Sequence, residues 1–168
     1  TGSPGDFKRT CEGIRNMVRQ NIYVGINHVL NAVNYKDTEK FVNFINEELF
    51  GGLNCSPSSK YWFLSLSVVQ PIGRAEGAFD IVPKLSDLSP YFVDGLRRAV
   101  ELGIFVINPG CGIPVCFTPG YEELSSEYHS LLRQELDIGT FPVKERLKAK
   151  GPQCVICRYN SLCLGVWR

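Results

Sequence analysis

Apolar residues recur along the first two thirds of the chain with two alternating periods, and those periods predict its elements. Phe7, Cys11, Ile14 and Val18 fall four, three and four residues apart, one stripe of a helix from about Asp6 to Gln20. Cys11 on that stripe reads as a core residue. From Ile22 to Val29 the period drops to two, with Ile22, Val24 and Ile26 on one face of a strand and Tyr23, Gly25, Asn27 and Val29 on the other. After a polar loop at 31–35, Asp37 or Thr38 can cap a second helix whose stripe is Phe41, Phe44, Ile45 and Leu49, ended by Gly51-Gly52. A loop at 54–60 carries Cys55. Tyr61 to Val69 is the strongest strand, with seven of its nine residues aromatic, β-branched or Leu.

Pro71-Ile-Gly-Arg-Ala75 cannot continue a ladder and forms a loop at the end of that strand. Ser89-Pro90 offers an N-cap and a first-turn proline for a third helix that turns Phe92, Leu96, Ala99 and Val100 inward and stops at Gly103. Ile104 to Ile107 is a short third strand. Helix, strand, helix, strand, helix, strand is the signature of an α/β fold with a parallel sheet and crossover helices. Ligands of such sheets sit beyond the C-terminal strand ends, here near 27–34 and 70–75. Past Gly110 the pattern changes to a cysteine-bearing loop and a helix from about Tyr121 to Leu136. An irregular basic stretch at 144–150 and a second cysteine-rich turn follow. The boundary between the two parts falls near Asn108-Pro109.

Composition narrows the functional classes. A content of 44% hydrophobic and 21% charged residues in 168 suits one core with a small appendage. The net charge of +1 supplies no basic field for nucleic acid or an anionic membrane. No apolar run reaches the length of a membrane helix, and no secretory leader opens the sequence. Seven cysteines, an odd number, fit a reducing, cytoplasmic setting better than a disulfide framework. The start at Thr1, in turn residues and without Met, suggests a piece of a longer protein.

The densest chemistry lies at the end. Cys154, Cys157 and Cys163 stand at C-x2-C-x5-C spacing behind Gly151-Pro152. Two thiolates three residues apart can grip one metal centre from a tight turn, and a third can close over it. A fourth would come from Cys111 or Cys116 in the sequence Cys-Gly-Ile-Pro-Val-Cys. Zinc and an iron–sulfur cluster both accept four thiolates, and the unequal spacing leans toward a cluster. The competing reading is a set of small buried residues. His28 and His129 have no ligand-spaced partner and read as packed or solvated. Gly73 lets backbone approach a ligand closely, and Arg74 could grip a carboxylate, although a plain surface loop explains both equally well. No catalytic residue stands out.

The blocks Val68-Val-Gln-Pro-Ile-Gly-Arg-Ala75 and Ile113-Pro-Val-Cys-Phe-Thr-Pro-Gly-Tyr-Glu122, followed by Cys-x2-Cys-x5-Cys-Leu-Gly-Val-Trp, resemble radical SAM enzymes with a C-terminal auxiliary iron–sulfur domain of the SPASM or twitch type. The resemblance implies that residues 1–107 form the second half of a partial (β/α)6 barrel and residues 108–168 a truncated auxiliary-cluster domain. It implies Cys116, Cys154, Cys157 and Cys163 as ligands of an auxiliary 4Fe-4S cluster, with Cys111 in reserve. It also implies Asn27 at a strand end facing the barrel interior, and Gly73 and Arg74 beside S-adenosylmethionine. In the parent enzyme a second 4Fe-4S cluster would cleave that cofactor to a 5′-deoxyadenosyl radical, and the substrate would be a peptide or protein. The C-x3-C-x2-C motif for that second cluster is absent from these residues and would lie upstream, so this chain alone would be inactive. A half barrel would also self-associate through its exposed edge. The alternative is a non-catalytic zinc- or iron–sulfur-binding interaction module.

Overall fold

The computed structural model describes residues 3–51, 61–106, 113–125, 128 and 148–167. Cys55, His129, Cys111 and the 108–109 boundary lie outside the described residues, as does most of the helix expected over 121–136.

Three helices and two parallel strands alternate along residues 6–101. Helix α1 spans Asp6–Arg19 and buries Cys11 and Val18. Phe7, expected on the same stripe, is exposed and meets the rim of the core at the Phe44 ring, 5.4 Å between centroids. Strand β1 is Val24–Leu30. Ile22 precedes it and is half exposed, since Gln20, Asn21 and Ile22 turn back onto the end of α1. Helix α2, Thr38–Phe44, runs into a π-helical turn, Ile45–Leu49. Its buried residues are Thr38, Val42, Ile45 and Leu49, so Phe41 and Phe44 flank the core instead of forming its centre. No side-chain cap closes its start: Asp37 pairs with Lys40 at 2.7 Å. Arg15 of α1 covers the far end, donating to the carbonyls of Leu49 at 2.9 Å and Glu48 at 2.6 Å.

Strand β2, Trp62–Val68, pairs in parallel with β1 in the register Val24–Trp62 to Leu30–Val68. On its other side Leu64 bridges Val106, again in parallel. The third strand expected over 104–107 is reduced to that bridge among the described residues. Helix α3, Leu85–Glu101, begins four residues before the expected cap Ser89. Leu88, fully buried, draws the first turn onto the core, and Pro90 inside the helix forgoes its own bond to the preceding turn. The inward stripe is Leu88, Phe92, Leu96 and Ala99, while Val100 is half exposed.

One face of the sheet carries the core. Val24, Ile26 and Leu30 of β1 and Trp62, Leu64, Leu66 and Val68 of β2 join the buried residues of α1, α2 and α3 in a single cluster. Gly25, Asn27, Val29, Phe63, Ser65 and Ser67 alternate onto the opposite face. The Phe63 ring lies over Gly25, where a Cβ would come within 2.6 Å of it.

Beyond α3, Val115–Phe117 and Glu122–Leu124 form 3-10 turns. The helix expected from Tyr121 does not begin there: Ser125 is extended, and its hydroxyl accepts the Tyr128 N–H at 3.2 Å, the geometry of a helix N-cap. In the expected irregular stretch 144–150, Lys148–Ala149 is a short strand, β3. It pairs antiparallel with β4, Val166–Trp167. No helix among the described residues is long and apolar enough to cross a membrane.

Candidate metal centre

The β3–β4 pair closes residues 148–167 into a loop that contains Cys154, Cys157 and Cys163. Between the strands the chain advances by tight turns rather than by packing. Gly151-Pro152 starts a 3-10 turn over Pro152–Ile156, suited to a proline in its first position. Cys154, Cys157 and Asn160 then donate their N–H groups to the carbonyls of Gly151, Cys154 and Cys157 in succession. Lys150 reaches across to the Asn160 side chain at 3.0 Å. Gly165, with φ +93, allows the return of the chain into β4.

Two of the three sulfurs receive backbone donors. The N–H of Tyr159 points at Cys157 Sγ at 3.4 Å, and that of Gly165 at Cys163 Sγ at 3.3 Å. Each donor lies two residues after its cysteine. Hydrogen bonds to ligand sulfurs tune the potential of a bound cluster. Cys163 is buried, Cys154 and Cys157 are half-buried, and no disulfide joins any of these. The donor chemistry therefore suits a thiolate-bound metal. Among the described residues no three His, Cys, Asp or Glu side chains stand close enough to hold a metal ion.

Cys116 is exposed on the Val115–Phe117 turn. That turn is anchored on both sides of its thiol: Ile113 and Val115 are fully buried, and the Thr118 hydroxyl donates to the Val115 carbonyl at 2.9 Å. The Ser89 hydroxyl of α3, read from sequence as a cap, instead donates to the Phe117 carbonyl at 2.8 Å.

A joint connects this turn region with the cysteine loop. Glu122 accepts a hydrogen bond from the Tyr159 hydroxyl at 2.7 Å and pairs with Arg158 at 3.2 Å. The guanidinium of Arg158 lies over the Tyr159 ring, 4.5 Å from its centroid, and also bonds its hydroxyl. The Tyr159 hydrogen bond, ahead of smaller contributions, holds the Glu122 carboxyl below its ordinary range, and the same bond raises the phenol. Sequence reading missed this contact because its members lie far apart in the chain and each is an ordinary surface residue type.

The residues expected beside S-adenosylmethionine lie on two different elements. Asn27 sits at the middle of β1, not at its end, on the face away from the core, and its Oδ1 accepts the Ser67 hydroxyl at 2.8 Å. Gly73 begins the Gly73–Ala75 turn with φ +61, and nothing lies within 4 Å of the place its Cβ would occupy. Arg74 follows it in that turn. His28 stacks on Phe41, with ring centroids 3.8 Å apart, a packing role. No protein-family model, curated protein or solved structure matches the chain.

Proposed function

We propose that these residues are part of a radical SAM enzyme that modifies a peptide or protein: the second half of its barrel followed by a truncated auxiliary iron–sulfur domain. The observation that carries the metal part is the closed loop in which Cys157 and Cys163 each accept a backbone N–H from two residues on. The barrel part is supported by the placing of α1, α2 and α3 against one face of a parallel sheet in sequential order. A doubly wound sheet would have helices on both faces, whereas a barrel wall has them outside only. The opposite face, with Gly25, Asn27, Ser65 and Ser67, would then line the interior.

In this reading Cys116, Cys154, Cys157 and Cys163 hold the auxiliary 4Fe-4S cluster, which supplies one-electron chemistry or shapes the substrate site when bound. The protein places it through the loop and anchors it to α3 through Ser89 and the 115–118 turn. Asn27, Gly73 and Arg74 would border S-adenosylmethionine. The second 4Fe-4S cluster, which would cleave that cofactor, has no C-x3-C-x2-C motif to hold it among these 168 residues.

A second reading, a non-catalytic zinc- or iron–sulfur-binding interaction module, is favoured by the tip of the loop. Val155 and Ile156, between two cysteines, are 76% and 92% exposed, as side chains are when a protein partner covers them. Metal analysis of anaerobically prepared protein tests the first reading: it requires iron with acid-labile sulfide, which the second also allows, whereas zinc fits the second alone. Ala at Cys116, Cys154, Cys157 or Cys163 should sharply lower bound iron, and Ala at Cys11 or Cys55 should not. Iron lost with Cys111→Ala but kept with Cys116→Ala would exchange the fourth ligand. Full iron in every variant would remove the cluster.

A further inference from the structure

Among the described residues no three ligand side chains stand together, so three thiols in one loop and a fourth on a separate turn can close on one metal only if the two segments are kept adjacent until it binds. The geometry points to Glu122 and Tyr159 as the positioning pair that does so, an inference that rests on the four-thiolate reading above. Tyr159 is bonded in three directions. Its N–H meets Cys157 Sγ at 3.4 Å, its carbonyl accepts the N–H of Cys163 at 2.8 Å, and its hydroxyl reaches Glu122 at 2.7 Å. The backbone bonds of one residue thus hold the Cys157 thiol and the Cys163 backbone, while its side chain ties that residue to the other segment.

Glu122 is equally well placed at its own end. It stands six residues after Cys116 in a run of turns, in which Tyr121 donates to the Thr118 carbonyl at 2.9 Å and Ser125 to the Glu122 carbonyl at 3.0 Å. The turn before it is fixed to α3 by Ser89. A path of hydrogen bonds and short turns therefore runs from the helical core through the Cys116 turn to Glu122, then through Tyr159 to Cys157 and Cys163. Arg158 adds a second contact to the same carboxylate and covers the Tyr159 ring, which restricts the phenol to one direction. Partners of this kind, which hold metal ligands without touching the metal, change metal affinity by about 10- to 100-fold when removed.

Anaerobic titration with Co(II) alone tests the pair, because sulfur-to-cobalt charge-transfer absorption grows with the number of bound thiolates. The unaltered protein should bind one Co(II) with four-thiolate intensity. Glu122→Ala and Tyr159→Phe should each weaken binding by about 10- to 100-fold and lower the intensity to that of Cys116→Ala, with unchanged helical circular dichroism. The double variant should be no worse than either single one, because both break the same joint. Glu122→Gln, which keeps an acceptor for the Tyr159 hydroxyl, should restore most of the intensity. Wild-type affinity and intensity in Glu122→Ala and Tyr159→Phe would overturn the positioning role while leaving the metal site standing. If the unaltered protein binds no Co(II), the thiolate site itself fails, and the positioning role with it.

Discussion

The carbonyl oxygen of Ala149 occupies the space that a side chain at Gly165 would need: a Cβ there would lie 2.2 Å from it. Gly165 also has φ +93, a conformation other residues adopt at a cost of about 1–3 kcal/mol. Gly165→Ala should therefore open the β3–β4 pair and withdraw the N–H that Cys163 Sγ accepts. Amide exchange should quicken at 148–149 and 163–167 with α1, α2 and α3 unaffected. Unchanged protection at those amides would show that the loop closes by other means.

A similar close approach lies in the core. A Cβ on Gly95 of α3 would stand 2.4 Å from Thr38 Cγ2 of α2. Gly95→Ala should cost about 1–3 kcal/mol by overpacking, despite alanine's better helix propensity. Thr38→Ser removes that methyl and keeps the hydroxyl that donates to the Tyr35 carbonyl at 2.6 Å. Denaturant unfolding of the double variant should recover most of the loss. Two additive penalties would show that the helices do not meet at this pair.

The stack of His28 on Phe41 makes stability depend on pH. Burial lowers the His28 pKa below its usual value, so the folded chain prefers the neutral ring. Between the folded value and about 6.5 the unfolded chain binds more protons, and stability falls as pH falls through that window. Above it the ring is neutral in both states and contributes no slope. Thermal unfolding of His28→Phe, which can keep the stack, should lose less stability between pH 7.5 and 5 than the unaltered protein (a window spanning the ordinary histidine value). Parallel pH curves would mean that His28 titrates as it does in the unfolded chain.

Strand β1 has β2 on one side, and among the described residues no strand lies on the other. Tyr23 and Val29 beside this edge are 56% and 43% exposed. Unpaired edges of this kind template association, and a lysine on the edge blocks it. Sedimentation should show concentration-dependent association that Val29→Lys reduces. A monomer at all concentrations would argue against an open barrel wall.

The elements most legible in the sequence were those whose burial follows a local period. Cys11 and Val18, Leu96 and Ala99, and the aromatic run of β2 all lie where their spacing puts them. Errors arose where a distant contact outweighed a local signal. Ser89-Pro90 has the form of a helix start, yet burial of Leu88 begins α3 earlier and frees the Ser89 hydroxyl for Phe117. The π-helical turn at Ile45–Leu49 goes with a buried stripe that runs through Val42 in place of Phe41. The cysteine spacing was legible as a local loop. The bond from Tyr159 to Glu122 was not, because its partners are 37 residues apart.

The pairing of β2 has a consequence for how the chain folds. Val24 meets Trp62 and Leu64 meets Val106, so the strand joins partners about forty residues away on either side. Neither pairing can start as a hairpin, and each requires a long loop to close before any ladder bond forms. Such non-local contacts slow folding relative to helical domains of similar size. Until they form, the apolar run from Trp62 to Val68 has no strand on either flank, and this interval is when the nascent chain is most open to mispairing with other copies.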